Sequence, residues 1–310
     1  MTTLLLITRR ERVEIWREAL QAAMPDLTIR LWPETGPLDE IEFVLCWMPE
    51  AGLLARMPKL RGAFSLGAGV DHLLNDPDLP AHVPVVRMVD PSLSNAIMQY
   101  ILLAVLRQHR TLDAYREQQA QKTWNKIGIS NLNMPRIGIL GLGALGARAA
   151  RILADLGYPV SGWSRSPKTI DGIDARHGQD GLNAVLAQSD ILVSVLPNTP
   201  ATEGLLNAER LARLPKGAHV VNVGRGEHIV DDDLLAALDS NHLPGATLDV
   251  FRTEPLPAGH RFWSHPKVIV TPHDGGDTIP RTAARVVVDN IARIQAGETP
   301  VGLVDRQAGY

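Results

Sequence analysis

A chain of 310 residues, at about 150 per domain, implies two domains, and 45% apolar residues are enough to give each a packed core. Lysine and arginine total 31 against 34 acids, so the net charge of −3 supplies no field to draw in nucleic acid or anionic lipid, and neither is expected as a partner. A lone cysteine, Cys46, excludes an internal disulfide and any zinc site built on a cysteine pair, which fits a reducing cytoplasm.

The apolar start, Leu4 to Ile7, runs at once into Arg9, Arg10, Glu11 and Arg12, too short for a secretory signal, and no apolar run reaches membrane-spanning length. Leu4 to Thr8, Leu27 to Trp32, Phe43 to Trp47, Ala63 to Leu66 and Val83 to Val89 are continuous apolar runs, the pattern of parallel strands covered on both faces. From Ser92 to Gln121 the spacing of Ile97, Ile101, Leu102, Val105 and Leu106 predicts one long helix. Its apolar content exceeds what one buried face requires, which points to a homodimer contact.

The strand rhythm then restarts. Arg136 to Leu140, Val160 to Trp163, Ile191 to Leu196, His219 to Val223, Ala246 to Val250 and Val268 to Val270 are six predicted strands, the count of a dinucleotide-binding sheet. The cofactor domain is therefore expected over 96–276. A substrate domain would take 1–95 plus the tail 277–310, which is too short to fold alone.

After the first of these six strands comes Gly141-Leu142-Gly143-Ala144-Leu145-Gly146, a G-x-G-x-x-G run. A helical stripe of Leu145, Ala149, Ile152, Leu153 and Leu156 follows, closed by Gly157 as a C-cap. Gly141 would allow the tight turn, Gly143 the approach of a pyrophosphate, and Gly146 close packing of helix on strand, with the backbone at Ala144 and Leu145 opening the helix toward the phosphate charge. S-adenosylmethionine enzymes also carry such a turn, so the next strand must choose the ligand. That strand ends in Ser164-Arg165-Ser166-Pro167-Lys168, with no acid to bond a ribose 2′-hydroxyl. Arg165 can instead pair with a 2′-phosphate, assisted by Ser164 and Lys168, so NADP(H) is expected over NAD(H).

Three further groups fall at strand ends, where open α/β sheets bind ligands: Gly224-Arg225-Gly226, Asp249 to Phe251 followed by Glu254-Pro255-Leu256-Pro257, and Thr271-Pro272-His273. Together with the glycine run, Asn222-Val223-Gly224-Arg225-Gly226, Asp249-Val250-Phe251 and Thr271-Pro272-His273 make the chain resemble the D-isomer-specific 2-hydroxyacid dehydrogenases over nearly its whole length. Leu196-Pro197-Asn198-Thr199-Pro200, the run Asp232 to Ser240 and the ending Val304-Asp305-Arg306 are most similar to the glyoxylate/hydroxypyruvate reductase branch, which uses NADPH.

The resemblance implies two doubly wound α/β domains, a flavodoxin-like substrate domain and a Rossmann cofactor domain, with the active site in the cleft. It implies NADPH-dependent reduction of a small 2-keto acid, such as glyoxylate or hydroxypyruvate. Arg225 would anchor the substrate carboxylate and polarise the ketone, His273 would donate the proton, and Glu254 would orient His273. Asp249 and Pro197 would meet the cofactor, and Ala68, Gly69 and Trp47 the substrate. After His273 the run Asp274 to Thr278 departs from the small or apolar residues usual in relatives, placing a negative charge beside the proposed acid. Asp231, Asp232 and Asp233 look like a metal cluster, but at a helix start they are expected to cap it and to complement its dipole, and no metal is expected. Two rival readings use the same fold: an NADP(H)-sensing regulator without turnover, and a dehydrogenase of another small anion.

Overall fold

The computed structural model describes residues 2–128 and 134–309. By contacts the chain divides into two compact units, Met1–Asn95 with Asp277–Tyr310, and Ala96–Gly276.

In the first unit β1 (Thr3–Ile7), α1 (Val13–Ala23), β2 (Thr28–Leu31), β3 (Phe43–Cys46), β4 (Gly62–Ser65), the single turn α2 (Asp71–Leu74) and β5 (Val85–Val86) follow in order. The five strands form one parallel sheet in the order β2-β1-β3-β4-β5, the flavodoxin-like arrangement. β1, β3 and β4 are buried along their whole length, which is why they read as unbroken apolar runs.

The helix expected from Ser92 to Gln121 is two helices, α3 (Pro91–His109) and α4 (Leu112–Ala120). Thr111 breaks them apart with a left-handed backbone, φ 50°. Arg107 on one side of the break binds Asp113 on the other, and the Tyr115 hydroxyl donates to Ile127 O and accepts from Ile127 N, so tertiary bonds override a continuous helical pattern.

The second sheet comprises β6 (Ile137–Leu140), β7 (Val160–Ser164), β8 (Asp174–His177), β9 (Ile191–Ser194), β10 (His219–Asn222), β11 (Gly245–Leu248) and β12 (Val268–Val270). Its helices are α5 (Ala144–Asp155), α6 (Gly178–Gln188), α7 (Ala208–Leu211) and α8 (Asp231–Asp239). All strands are parallel in the order β12-β11-β10-β9-β6-β7-β8, a Rossmann sheet with one strand more than the six expected. The extra strand, β8, is the edge strand Asp-Ala-Arg-His, with no buried residue and hence no apolar run.

Gly157, φ +88°, ends α5 as expected. The helix buries Ala149 and Leu153 but leaves Leu156 50% exposed. The three aspartates of α8 occupy its first turn, as dipole charges should, but none caps it: the N-cap is Val230, without a side-chain bond. Asp233 accepts from Ala208 N instead, and Asp231 pairs with His260. Among the described residues no group of three or more His, Cys, Asp or Glu could hold a metal ion. No helix among them is long and apolar enough to cross a membrane.

The tail carries α9 (Pro280–Gln295), which packs on α1. Beyond it Leu303 bridges Val86 in antiparallel fashion, Val304 N bonds Val85 O, and the Arg306 guanidinium donates to the carbonyls of Pro80 and Val83. Buried Asn290 fastens the returning chain, donating to Val301 O at 3.0 Å and accepting from Val301 N at 2.7 Å. Asn290→Ala leaves both backbone groups without that partner and should cost about 2 kcal/mol of stability, read as a lower urea midpoint.

Candidate active site

The glycine run joins β6 to α5 at the C-terminal edge of the second sheet. Gly141 has φ +102°, and a Cβ on Gly146 would lie 1.7 Å from Gly141 O, so only glycine lets the helix start this close to the strand end. A Cβ on Gly143 would meet no atom of the chain within 4 Å. Packing therefore does not explain that glycine, whereas close approach of a phosphate would. Gly143 is the N-cap of α5 and Ala144 and Leu145 begin its first turn, whose N–H groups have no partner within the helix. At the end of β7, Ser164 is buried and turns its hydroxyl to Ser166 O, 2.8 Å, shaping the turn, while Arg165 and Lys168 are exposed. These groups suit a dinucleotide whose ribose carries a phosphate.

Arg225 follows β10. A Cβ on Gly226 would lie 1.8 Å from Phe251 C, so the loop presses backbone to backbone on the segment after β11. Asn222 braces it by donating to Arg225 O at 2.8 Å and accepting from Gly224 N. The guanidinium is half-buried and donates to Gly224 O.

His273 and Glu254 meet: Nδ1 lies 2.7 Å from Oε2, and Oε1 accepts from Phe251 N at 2.9 Å. Burial pushes the Glu254 carboxyl up, but its bonds to His273 and Phe251 N–H and the charges of His273 and Arg225 outweigh that and hold it below the usual carboxylate range. The imidazole, the carboxylate and the guanidinium thus act on one another, although 48 residues separate Arg225 from His273 in the sequence.

His273 has φ 54°, a left-handed backbone that a histidine rarely adopts. Asp249, 2% exposed, holds the segment: Oδ1 accepts from Thr271 Oγ1 at 2.6 Å and Asp274 N at 2.9 Å, and Oδ2 from Gly275 N at 2.9 Å. Most of its lone-pair capacity is thus taken by the chain itself. Tyr100 completes the row with a 2.6 Å bond to Thr271, and burial pushes its hydroxyl up to about 12. Asp274 itself is exposed.

In the first unit Trp47 is half-buried, lying against Gly67 and tilted on the His72 ring with centroids 4.5 Å apart. Ser65 organises the loop carrying Ala68 and Gly69 by donating to Gly69 O and accepting from Gly67 N, and Thr278 ties it from below through Leu66 O. Pro197, after β9, offers its carbonyl to Thr202 Oγ1 at 2.8 Å and to His228 Nε2 at 3.1 Å. Sequence reasoning missed Ser65, Tyr100, Thr271 as a hydrogen-bonding group, and His228. Each is a single polar residue beside an apolar run, a signal that does not distinguish a brace from a surface residue.

The D-isomer specific 2-hydroxyacid dehydrogenase, NAD binding domain, model matches residues 102–275. The chain belongs to the D-isomer-specific 2-hydroxyacid dehydrogenase family. Among curated members of the family it is 42% identical to glyoxylate/hydroxypyruvate reductase A of Yersinia enterocolitica, over 95% of this chain and 96% of that one. A dehydrogenase of the family from Xanthobacter autotrophicus Py2, crystallised with NADPH and MES, is 43% identical with a TM-score of 0.94 over 100% of this chain and 99% of that one. The NADPH-dependent glyoxylate/hydroxypyruvate reductase of Sinorhizobium meliloti, in complex with NADP and sulfate, superposes with a TM-score of 0.94 at 36% identity, over 100% of both chains.

Removing the carboxylate that faces His273 tests the pair. Glu254→Gln should lower kcat/KM for keto-acid reduction by about tenfold in steady-state assays, because the His273 ring loses the carboxylate that fixes its orientation. In the parent, Glu254 takes up its proton only below the usual carboxylate range, so the ionised carboxylate stays beside His273 well into acid.

Proposed function

We propose that the protein reduces small 2-keto acids, glyoxylate and hydroxypyruvate first among them, with NADPH, giving glycolate and D-glycerate. The observation that carries this reading is the 2.7 Å His273–Glu254 pair, within reach of the Arg225 charge at the edge of the sheet that bears the glycine run. Reductases named for these substrates, 42% and 41% identical over nearly the whole chain, support it.

Gly141, Gly143, Ala144, Leu145 and Gly146 would cradle the pyrophosphate. Arg165, with Ser164 and Lys168, would face the 2′-phosphate, and Pro197 and Asp249 would flank the nicotinamide. When bound, the reduced nicotinamide supplies the hydride. Arg225 grips the substrate carboxylate and draws electron density from the ketone. His273, its Nδ1 committed to Glu254, gives the Nε2 proton to the forming alkoxide. Glu254 stays ionised through the neutral range and keeps the ring oriented. Ala68, Gly69 and Trp47 are proposed substrate contacts on the first unit, which serves as the substrate domain.

The test is loss of NADPH absorbance on adding glyoxylate or hydroxypyruvate; no oxidation above background would leave a cofactor-sensing protein. Arg225→Ala should lower kcat/KM by about 100-fold or more, raising KM and lowering kcat together. Arg165→Asp should lower the NADPH-to-NADH preference by about tenfold, since a carboxylate repels the phosphate the guanidinium held.

The protein is proposed to work in the cytoplasm as a homodimer. Leu103, 63% exposed, Leu106, Leu112 and fully exposed Trp124 are apolar side chains left uncovered on and after α3 and α4, which supports a contact between copies. Light scattering should give twice the 33.8 kDa chain mass, and Leu103→Asp should return it toward the single value.

A further inference from the structure

His228 belongs to no motif read from the sequence, yet it is completely buried at the end of the Arg225 loop. Both ring nitrogens are engaged, and on different loops. Nδ1 accepts the backbone N–H of Arg225 at 3.2 Å, with Ser194 Oγ at 3.4 Å, while Nε2 lies 3.1 Å from Pro197 O. A carbonyl can only accept and the Arg225 amide can only donate, so these partners define one state of the ring, neutral with its proton on Nε2. The fit is close: a Cβ on Gly224 would stand 3.0 Å from His228 Cε1 and 2.9 Å from Leu196 O. The segment is also pinned from outside, since His228 O accepts from Leu206 N and Leu206 bridges Ile229.

We propose that His228 is a positioning residue that ties the Arg225 loop after β10 to the Pro197 loop after β9. Rotation of Arg225 about its backbone is limited at its amide by Nδ1 and at its carbonyl by Asn222. The other end of the same imidazole rests on the carbonyl of the loop assigned above to the cofactor. Displacement of Pro197 is passed to the substrate anchor through one rigid ring. This inference rests on the roles proposed above for Arg225 and Pro197.

Two substitutions separate the two ends of the ring. In His228→Asn the amide oxygen can stand in for Nδ1 and keep the Arg225 bond, but nothing reaches Pro197. In His228→Gln the amide nitrogen can stand in for Nε2 and keep the Pro197 bond, but the Arg225 amide loses its acceptor. With saturating NADPH, His228→Gln should raise the keto-acid KM and lower kcat, each by about tenfold, while NADPH affinity measured by fluorescence stays near that of the parent. His228→Asn should weaken NADPH binding, by less than that because Thr202 still holds Pro197 O, and leave the keto-acid KM near the parent's.

Equal losses in both variants that follow their loss of thermal stability, or no loss in either, would overturn the tie. So would a parent ring that long-range 15N spectra show protonated on Nδ1 at neutral pH. That spectrum needs no turnover, so a parent protein that fails to oxidise NADPH with either keto acid would refute the functional reading while the tie is judged separately.

Discussion

A buried carboxylate holds His273 in place. Asp249 sits at the end of β11 almost wholly out of water, a costly place for a charge unless hydrogen bonds surround it. It receives them from Thr271, Asp274 and Gly275, the residues on either side of His273, and its own carbonyl accepts the His273 N–H at 2.8 Å. Those bonds keep His273 in a left-handed backbone that costs about 1–3 kcal/mol when nothing compels it. With the backbone so constrained, the side chain is aimed at Glu254, and Glu254 is aimed back by the amide of Phe251. The His273–Glu254 pair is thus set by the chain beneath it.

The same economy governs the loops that flank it. At the start of α5 and after β10, one backbone passes so near another that a methyl group would collide. Charge is placed similarly: His273 and Arg225 both lower the proton affinity of Glu254, whose carboxylate is held in place by the Phe251 amide.

Much of this was legible in the sequence, for a physical reason. Parallel strands buried on both faces must be apolar throughout, so β1, β3, β4, β6, β9, β10 and β11 announced themselves, and their ends located Arg225, Glu254 and His273. The edge strand β8 did not, because nothing covers it and its residues are polar. The break at Thr111 carries no proline or glycine and is accompanied by one bond across it, Arg107 to Asp113, and others beyond it, between Tyr115 and Ile127. Aspartates at the start of α8 were rightly read as dipole charges and wrongly as caps, since composition does not say which of several acids precedes the first turn. Braces such as His228 and Ser65 were invisible because their partners are backbone atoms, which have no letter in a sequence.

The first unit is discontinuous, and that has a consequence for synthesis. Its sheet is made before the second unit, but the strand edge at Val86, the helix that covers α1 and the Asn290 fastening come from residues 277–310. The intervening unit is one unbroken stretch with its own core and can close while translation continues. On the ribosome the segment that carries β1 to β5 must therefore wait, with β5 uncovered, until residues 277–310 have been made. During that interval the edge of β5 is open to pairing with another chain.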